Sequence, residues 1–420
     1  MSTYSGIERS IARLLGRFPL LKKFAKYSYS RLVYFKEKKR FKYKAVVDPV
    51  VYNVGHGASF FGYYDKSPEN SQGLVLGLVS TQSTKKPPAK NPKIDFVVFG
   101  SDRKKILNIS LCAYNWQQGC RGHWLTDDLF IVNDFDCERR RYVARVYSVA
   151  RQSEVKMFDR PVQDSFSTDY FISLNYQRLM TLRPDYGYRN LPILNENNLK
   201  DLSGDGLWRV DYETGKEKLI VSLADICKID PLPEFKQAVH KFNHVMISPD
   251  GNHFIFMHRY FIGKRRFDRL FLACSSTANV CVLSDRGMVS HCFWVDTKTV
   301  IGYLRGPEDV DAYWLIDIET KEFSRLPDNA LQGYGDGHPH VYGDWFVTDT
   351  YPDKSRMQHL LICNWRTGEV KKLGEFFHGF DFEGECRCDL HPRFSPDGKR
   401  VFFDSVFTGQ RQLYSMDVLL

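Results

Sequence analysis

The stretch SPDGNHFIFMHRY, Ser248–Tyr260, returns in altered form as SPDGKRVFFDS at Ser395–Ser405. Each copy opens with turn residues and runs straight into an apolar segment. Asp-Gly supplies the positive φ of a tight hairpin and proline presets an early turn position, so each SPDG joins two antiparallel strands. A further strand follows each copy, RLFLACSS from Arg269 and RQLYSMDV from Arg411. Weaker copies of the hairpin begin at Tyr63 (YYDKSPENSQGLVLGLVS), His123 (HWLTDDLFIVND), Phe171 (FISLNYQRLMTLR), Cys292 (CFWVDTKTVIGYL) and His340 (HVYGDWFVTDT), which makes seven units. Third and fourth strands are legible as LWRVDYETGKEKLIV from Leu207, YWLIDIETKEFSRL from Tyr313 and LLICNWRTGEVKKLG from Leu360. Four antiparallel strands per unit, repeated at intervals of roughly 45 to 60 residues, predict an all-β, seven-bladed β-propeller over residues 45–420. The last unit reaches only its third strand at the end of the sequence, so residues 45–53 are expected to supply the missing outer strand and close the ring.

Composition agrees with a large, strand-rich core: 43% hydrophobic and 15% aromatic residues in 420. No apolar run approaches the roughly 20 residues of a spanning helix. The ten cysteines show no zinc-type spacing, Cys386 and Cys388 being the one close pair. The N-terminal residues lack the apolar core of a secretory signal, so a reducing cytoplasm is the expectation. The net charge of +9 is concentrated in residues 1–44, which hold thirteen Lys or Arg against Glu8 and Glu37. Within that segment Ile7, Ile11, Leu14, Leu15, Phe18, Leu21 and Phe24 recur at three- and four-residue spacing among basic residues. This predicts an amphipathic helix, interrupted or kinked at Pro19, that suits an anionic membrane surface on the cytoplasmic side. Packing on the protein's own body is the plainer alternative. The slightly acidic remainder and the lack of a binding module argue against nucleic acid.

Aligning the seven hairpins on the residue four before the Ser of SPDG selects Tyr63, Arg121, Asp169, His244, His291, His338 and His391, at spacings of 58, 48, 75, 47, 47 and 53. The long interval holds PDYGYRNLPILNENNLKDLSGDG, read as a loop over one face of the third unit. In a propeller these seven positions converge on the central axis, and His340 and Arg393, two residues further along, share their faces. The loops on the same side carry Arg183, His258, Arg259, Arg305 and Arg356, a basic collar suited to carboxylate or phosphate. A wet channel lined by solvated polar groups is the bland reading. The sharper one is a divalent metal held by His291, His338 and His340, with His244 as general base, Arg259 and Arg183 holding an anion, and Arg121, Arg305, His258, His391, Arg393 and Tyr63 around the substrate.

The SPDG units resemble those of TolB-type propellers, and the axial residues are similar to those of oligogalacturonate lyase, a seven-bladed cytoplasmic enzyme that uses manganese and a histidine base. The resemblance spans roughly residues 50–420. On it, His338 and His340 of the HPH stretch match the paired metal ligands, His291 the metal histidine of the preceding blade, and His244 the base. The family's glutamine ligand falls at Gly335, with Asp336 and Gln332 nearby as substitutes. What this implies is a carbohydrate-active enzyme acting on a uronate-containing glycan, by β-elimination or C5 epimerisation, with manganese the implied cofactor. The basic start resembles those of cytoplasmic enzymes that assemble lipid-linked surface polysaccharides. A glycosyltransferase gripping a nucleotide sugar, with His244 or Asp169 activating an acceptor, is therefore the second expectation, and a non-catalytic glycan- or protein-binding propeller the third.

Overall fold

Both SPDG turns close their hairpins in the same way. In the first, the Gly251 amide donates to Ser248 O, the Ser248 hydroxyl to Asp250, and the glycine takes φ +73°; in the second, Gly398, Ser395 and Asp397 repeat the bonds with φ +71°. Hairpins of this kind build the whole molecule, described here from a computed structural model covering residues 19–90, 93–277 and 279–420, with side chains from Tyr27 onward. Seven antiparallel sheets follow one another along the chain. Blades one to five are continuous, their first strands at Ala58–Phe60, His123–Trp124, Asp164–Phe166, Val239–Ile247 and Val289–Trp294. Blade six starts at His340–Tyr342 and blade seven at Arg393–Phe394.

Closure is as the sequence predicts. Val50–Tyr52 pairs with the final strand Gln412–Asp417 as the outer strand of blade seven. The segment before it does more than expected: Tyr43–Ala45 adds a fifth strand to blade six, with Tyr43 opposite Phe376. A domain boundary between residues 44 and 45 therefore falls inside a strand. Helix Pro19–Glu37 precedes it, while the apolar positions 7–18 of the expected amphipathic helix lie outside the described residues. No described helix is long and apolar enough to cross a membrane.

The core lies between blades rather than within one layer. Middle strands such as Val75–Ser80 are buried at every position because both faces meet a neighbouring blade, so they read as continuous apolar runs instead of alternating ones. The stretch after Tyr170–Ser173, expected as the return strand of the third hairpin, forms helix Tyr176–Leu182 instead, capped by the Asn175 side chain, and the expected loop from Pro184 onward returns Tyr186 and Tyr188 to the interior and carries the short helix Glu196–Lys200.

Candidate active site on the propeller axis

The inner strands aim their axial side chains by breaking the pleat. In blade four the ladder is regular up to Asn243 and resumes at Met246; His244 sits in this bulge at φ +50°. Arg121 and His391, at the matching positions of blades two and seven, have φ +56° and +44°. A left-handed backbone costs a non-glycine residue on the order of 1–2 kcal/mol, and a bulge re-aims a side chain next to a site. A register break in blade five likewise brackets Ser290 and His291.

Six of the seven aligned positions hold in the structure. The exception is Asp169, which lies exposed in the turn between the first two strands of blade three. That turn, Ser167–Thr168–Asp169, contains neither glycine nor proline, so the alignment slipped by one strand. The position falls instead at Gln163, which is buried, with its carbonyl accepting from Arg121 and its side chain from Tyr176.

The remaining residues form a tight aromatic and imidazole cluster. The Tyr63 hydroxyl lies 2.5 Å from His244 Nδ1, and Tyr186 meets both rings edge-on. The ring of His338 is 4.0 Å from that of His291 and 4.3 Å from that of His391, centre to centre. His338 Nδ1 donates to Asp349 Oδ1 at 2.7 Å and His391 Nδ1 to Gly62 O at 2.8 Å. The buried Nε2 atoms of both rings have no partner. With Asp389 they form a set whose ligand atoms all lie within 4.8 Å of one another. Holding one ring nitrogen with a carboxylate or carbonyl while the other stays free is how proteins orient metal-binding histidines. Two histidines and a carboxylate thus fit a divalent cation, although the set differs from the expected His291, His338 and His340. His340 is turned away from it: its Nδ1 accepts from the Phe394 amide and its ring packs on Phe293 at 4.6 Å. His291 stays beside the set with Nδ1 3.2 Å from Asp336, the residue next to Gly335.

Charge is arranged asymmetrically. Burial, then Arg259, His291 and Arg183, hold His244 well below the usual imidazole range, so it is neutral. Burial and then His338 take His291 down to about 4. Burial also opposes charge on His338, but Asp349 outweighs it and lifts this imidazole above its ordinary value. Against burial, Arg387 and then His338 keep Asp389 ionised far below the carboxylate range. Lys241, unremarked in the sequence, is fully buried, donates to Asn243 Oδ1 and faces Arg259 across the ladder.

Several collar residues are engaged elsewhere. Arg121 forms a two-pronged buried pair with Asp65, and Arg393 pairs with Asp404 over the Phe61 ring. Arg305 is held by Asp311, and Arg356 by His378. His258 lies inside blade four against His240, 2.9 Å away, and not at the mouth. Arg183 and Arg259 do reach the axis, paired with Asp185 and Asp268. Residues missed in the sequence are Asp349, Asp389, Tyr186, Tyr351 and Arg387. Asp389 was within reach, since it precedes His391 by only two residues; Tyr186 was not, because it comes from the insertion. A cavity of about 480 Å³ over blades five and six is lined by Arg266, Ser290, Tyr303, Tyr313, Asp336 and Tyr351, of which Ser290 and Asp336 lie against the His291 ring nitrogen.

No family model matches the sequence, and no curated protein matches it. Solved structures do. An oligogalacturonate lyase from Vibrio parahaemolyticus superposes with a TM-score of 0.58 at 15% identity, covering 90% of this chain and 96% of that one. An oligogalacturonate lyase in complex with manganese gives 0.57 at 16% identity, over 90% and 98%. TolB from Acinetobacter baumannii gives 0.39 at 14% identity, over 79% and 77%. The fold is thus that of the lyase-like seven-bladed propellers.

Proposed function

We propose that the chain is a carbohydrate-active enzyme that cleaves an acidic, uronate-containing glycan by β-elimination with the help of a divalent cation, manganese first. The observation that carries this reading is the set His338, Asp389 and His391, with two oriented imidazoles whose Nε2 atoms face one buried carboxylate. The fold shared with a manganese-bound lyase supports it. A cation there supplies positive charge against the substrate carboxylate, which acidifies the neighbouring C5–H. Arg259 and Arg183 add charge on the blade-four side, where burial and these arginines hold Lys241 well below the usual lysine range and His244 is neutral and able to take a proton. A bound carboxylate would offset the arginines that depress His244 and make it a stronger base at the moment of need. The proton leaves C5 for His244, the C4–C5 double bond forms, and O4 departs carrying a proton from the histidinium, with Tyr63 holding the ring throughout.

The test is incubation of the purified protein with manganese and oligouronates of defined length. An unsaturated product absorbing in the ultraviolet is expected. His244→Ala should reduce its rate by at least about 100-fold, and His338→Ala/His391→Ala should abolish it together with bound manganese. A metal-loaded protein that leaves every uronate intact but releases nucleoside diphosphate from nucleotide sugars would replace this reading with a transferase.

We further infer attachment to an anionic membrane surface. The described helix packs on blade six through Tyr34, whose ring meets Phe377 and Phe380, and leaves Leu32 and Phe35 70% and 65% exposed on another face. Lys36, Lys38, Lys39 and Arg40 lie beside them.

A further inference from the structure

A second cluster of soft and nitrogen ligands lies away from the axis, between the face of blade four and the segment that leaves blade three. Cys227 follows helix Leu223–Ile226, and Phe235 sits in the single turn Pro233–Lys236. His240 and His258 come from the first two strands of blade four, stacked at 5.2 Å with an interplanar angle of 10°. Cys227 Sγ is 3.4 Å and His258 Nε2 2.9 Å from His240 Nδ1, and all three atoms fall within 4.8 Å of one another.

The hydrogen-bond arithmetic is uneven. His240 Nε2 lies 3.1 Å from Phe235 O, a bond that fixes its proton there and leaves Nδ1 as a lone pair. Two groups, the Cys227 thiol and His258 Nε2, face that one lone pair. His258 Nε2 donates to that lone pair while its Nδ1 is buried without a partner, so ligation through Nε2 moves the His258 proton to Nδ1. Both rings are buried against Phe235 and neutral, which is the ligating form of imidazole. The Phe235 carbonyl plays for His240 the orienting part that Asp349 plays for His338.

We propose that Cys227, His240 and His258 form a binding site for a thiophilic transition-metal ion of the zinc type, separate from the axial set. One thiolate and two imidazoles suit zinc better than magnesium or calcium, and a water would complete the four ligands from the half-buried Cys227 side. In a tetrahedral site with bonds near 2.0–2.1 Å, nitrogen ligands stand roughly 3.3 Å apart. The two nitrogens need only a shift of a few tenths of an ångström, and the sulfur lies within 4.8 Å of both. On binding, the Cys227 thiol gives its proton to solvent and the sulfur takes a metal bond. Such an ion would tie the connection from blade three to the inner strands of blade four.

Cobalt(II) is the probe. Chelator-stripped full-length protein titrated with cobalt should develop a thiolate-to-cobalt charge-transfer band in the near ultraviolet, which zinc displaces. Cys227→Ser should remove the band and His258→Gln should weaken the site at least tenfold, whereas His338→Ala/His391→Ala should leave it intact, so the two metal readings fail independently. In the unmodified sequence, zinc should protect Cys227 from iodoacetamide but not the exposed Cys137. A band that survives Cys227→Ser, the absence of any band, or alkylation of Cys227 unchanged by zinc would overturn the assignment.

Discussion

At the scale of single residues, the histidines set the protein's response to acid. His123 shows why they are neutral: its Nδ1–H donates to Arg121 O at 2.8 Å and its Nε2 accepts from Ser165 at 2.6 Å, so both nitrogens are satisfied without charge. Burial takes its pKa down to about 3 from an ordinary 6.5, and takes His340 to about 3 likewise; His244 and His391 also lie well below that value. The folded state therefore binds fewer protons than the unfolded chain. Stability from these groups is complete above pH 6.5 and is lost as pH falls toward their folded values. Each contributes about 1.4 kcal/mol per pH unit in that window. Urea unfolding at pH 7, 6 and 5 should show a steep loss of stability with an uptake of several protons, and His123→Gln should reduce that uptake by one. A flat profile from pH 7 to 5 would contradict the burial of neutral imidazoles.

At the scale of elements, one recurrent device joins the blades. Near the end of the second strand a short polar side chain reaches the inner segment of the next blade. Asn133 exchanges bonds with the Val162 backbone, Asp349 accepts from the His391 amide, and Asp404 accepts from the Phe61 and Gly62 amides. Asp349 accepts from the amide and Nδ1 of His338 as well, so the bond that holds blades six and seven together also orients the candidate metal ligand. The N-terminal helix is a second kind of element, docked by aromatic contacts and by Arg31 over Phe380. Its end places Glu37 and Lys39 on a cavity that shares Asp336 and Tyr351 with the one over blades five and six. Membrane attachment through Leu32 and Phe35 would set that mouth near the lipid headgroups. Flotation with vesicles containing anionic lipid should recover the protein at low salt. Leu32→Glu/Phe35→Glu, a change on an exposed face, should lower the bound fraction several-fold without altering thermal stability; binding unchanged by it, or equal on neutral vesicles, would refute attachment there.

At the scale of the whole molecule, the ring closes through residues far apart in sequence. The strand Val50–Tyr52 completes the last blade, and Ser59 is bonded to Gln412 across the seam at 2.7 Å. Removing residues 45–53 deletes this strand and opens blade seven's edge, so the truncated chain is expected to lose cooperative unfolding and to aggregate, read by calorimetry and gel filtration. A stable monomer would show that three strands suffice. Closure also explains the burial of the axial cluster, since Tyr63, His244, His338 and His391 meet only when all seven blades are in place.

The sequence by itself determined the repeat, the blade count, the strand that closes the ring and six of the seven axial positions, because turn chemistry and strand periodicity are local signals. Only the tertiary structure decided which of those residues meet. HPH placed His338 and His340 on one face of a strand, but the face extends along the channel, and the neighbours at each depth come from other blades. His338 therefore meets Asp389 and His391, while His340 meets Phe293 and a backbone amide. Bulges with left-handed residues, as at His244, leave no mark in the periodicity they interrupt. The pairing of Arg121 with Asp65, and of His258 with His240 and Cys227, joins segments whose separation along the chain carries no information about their distance in space.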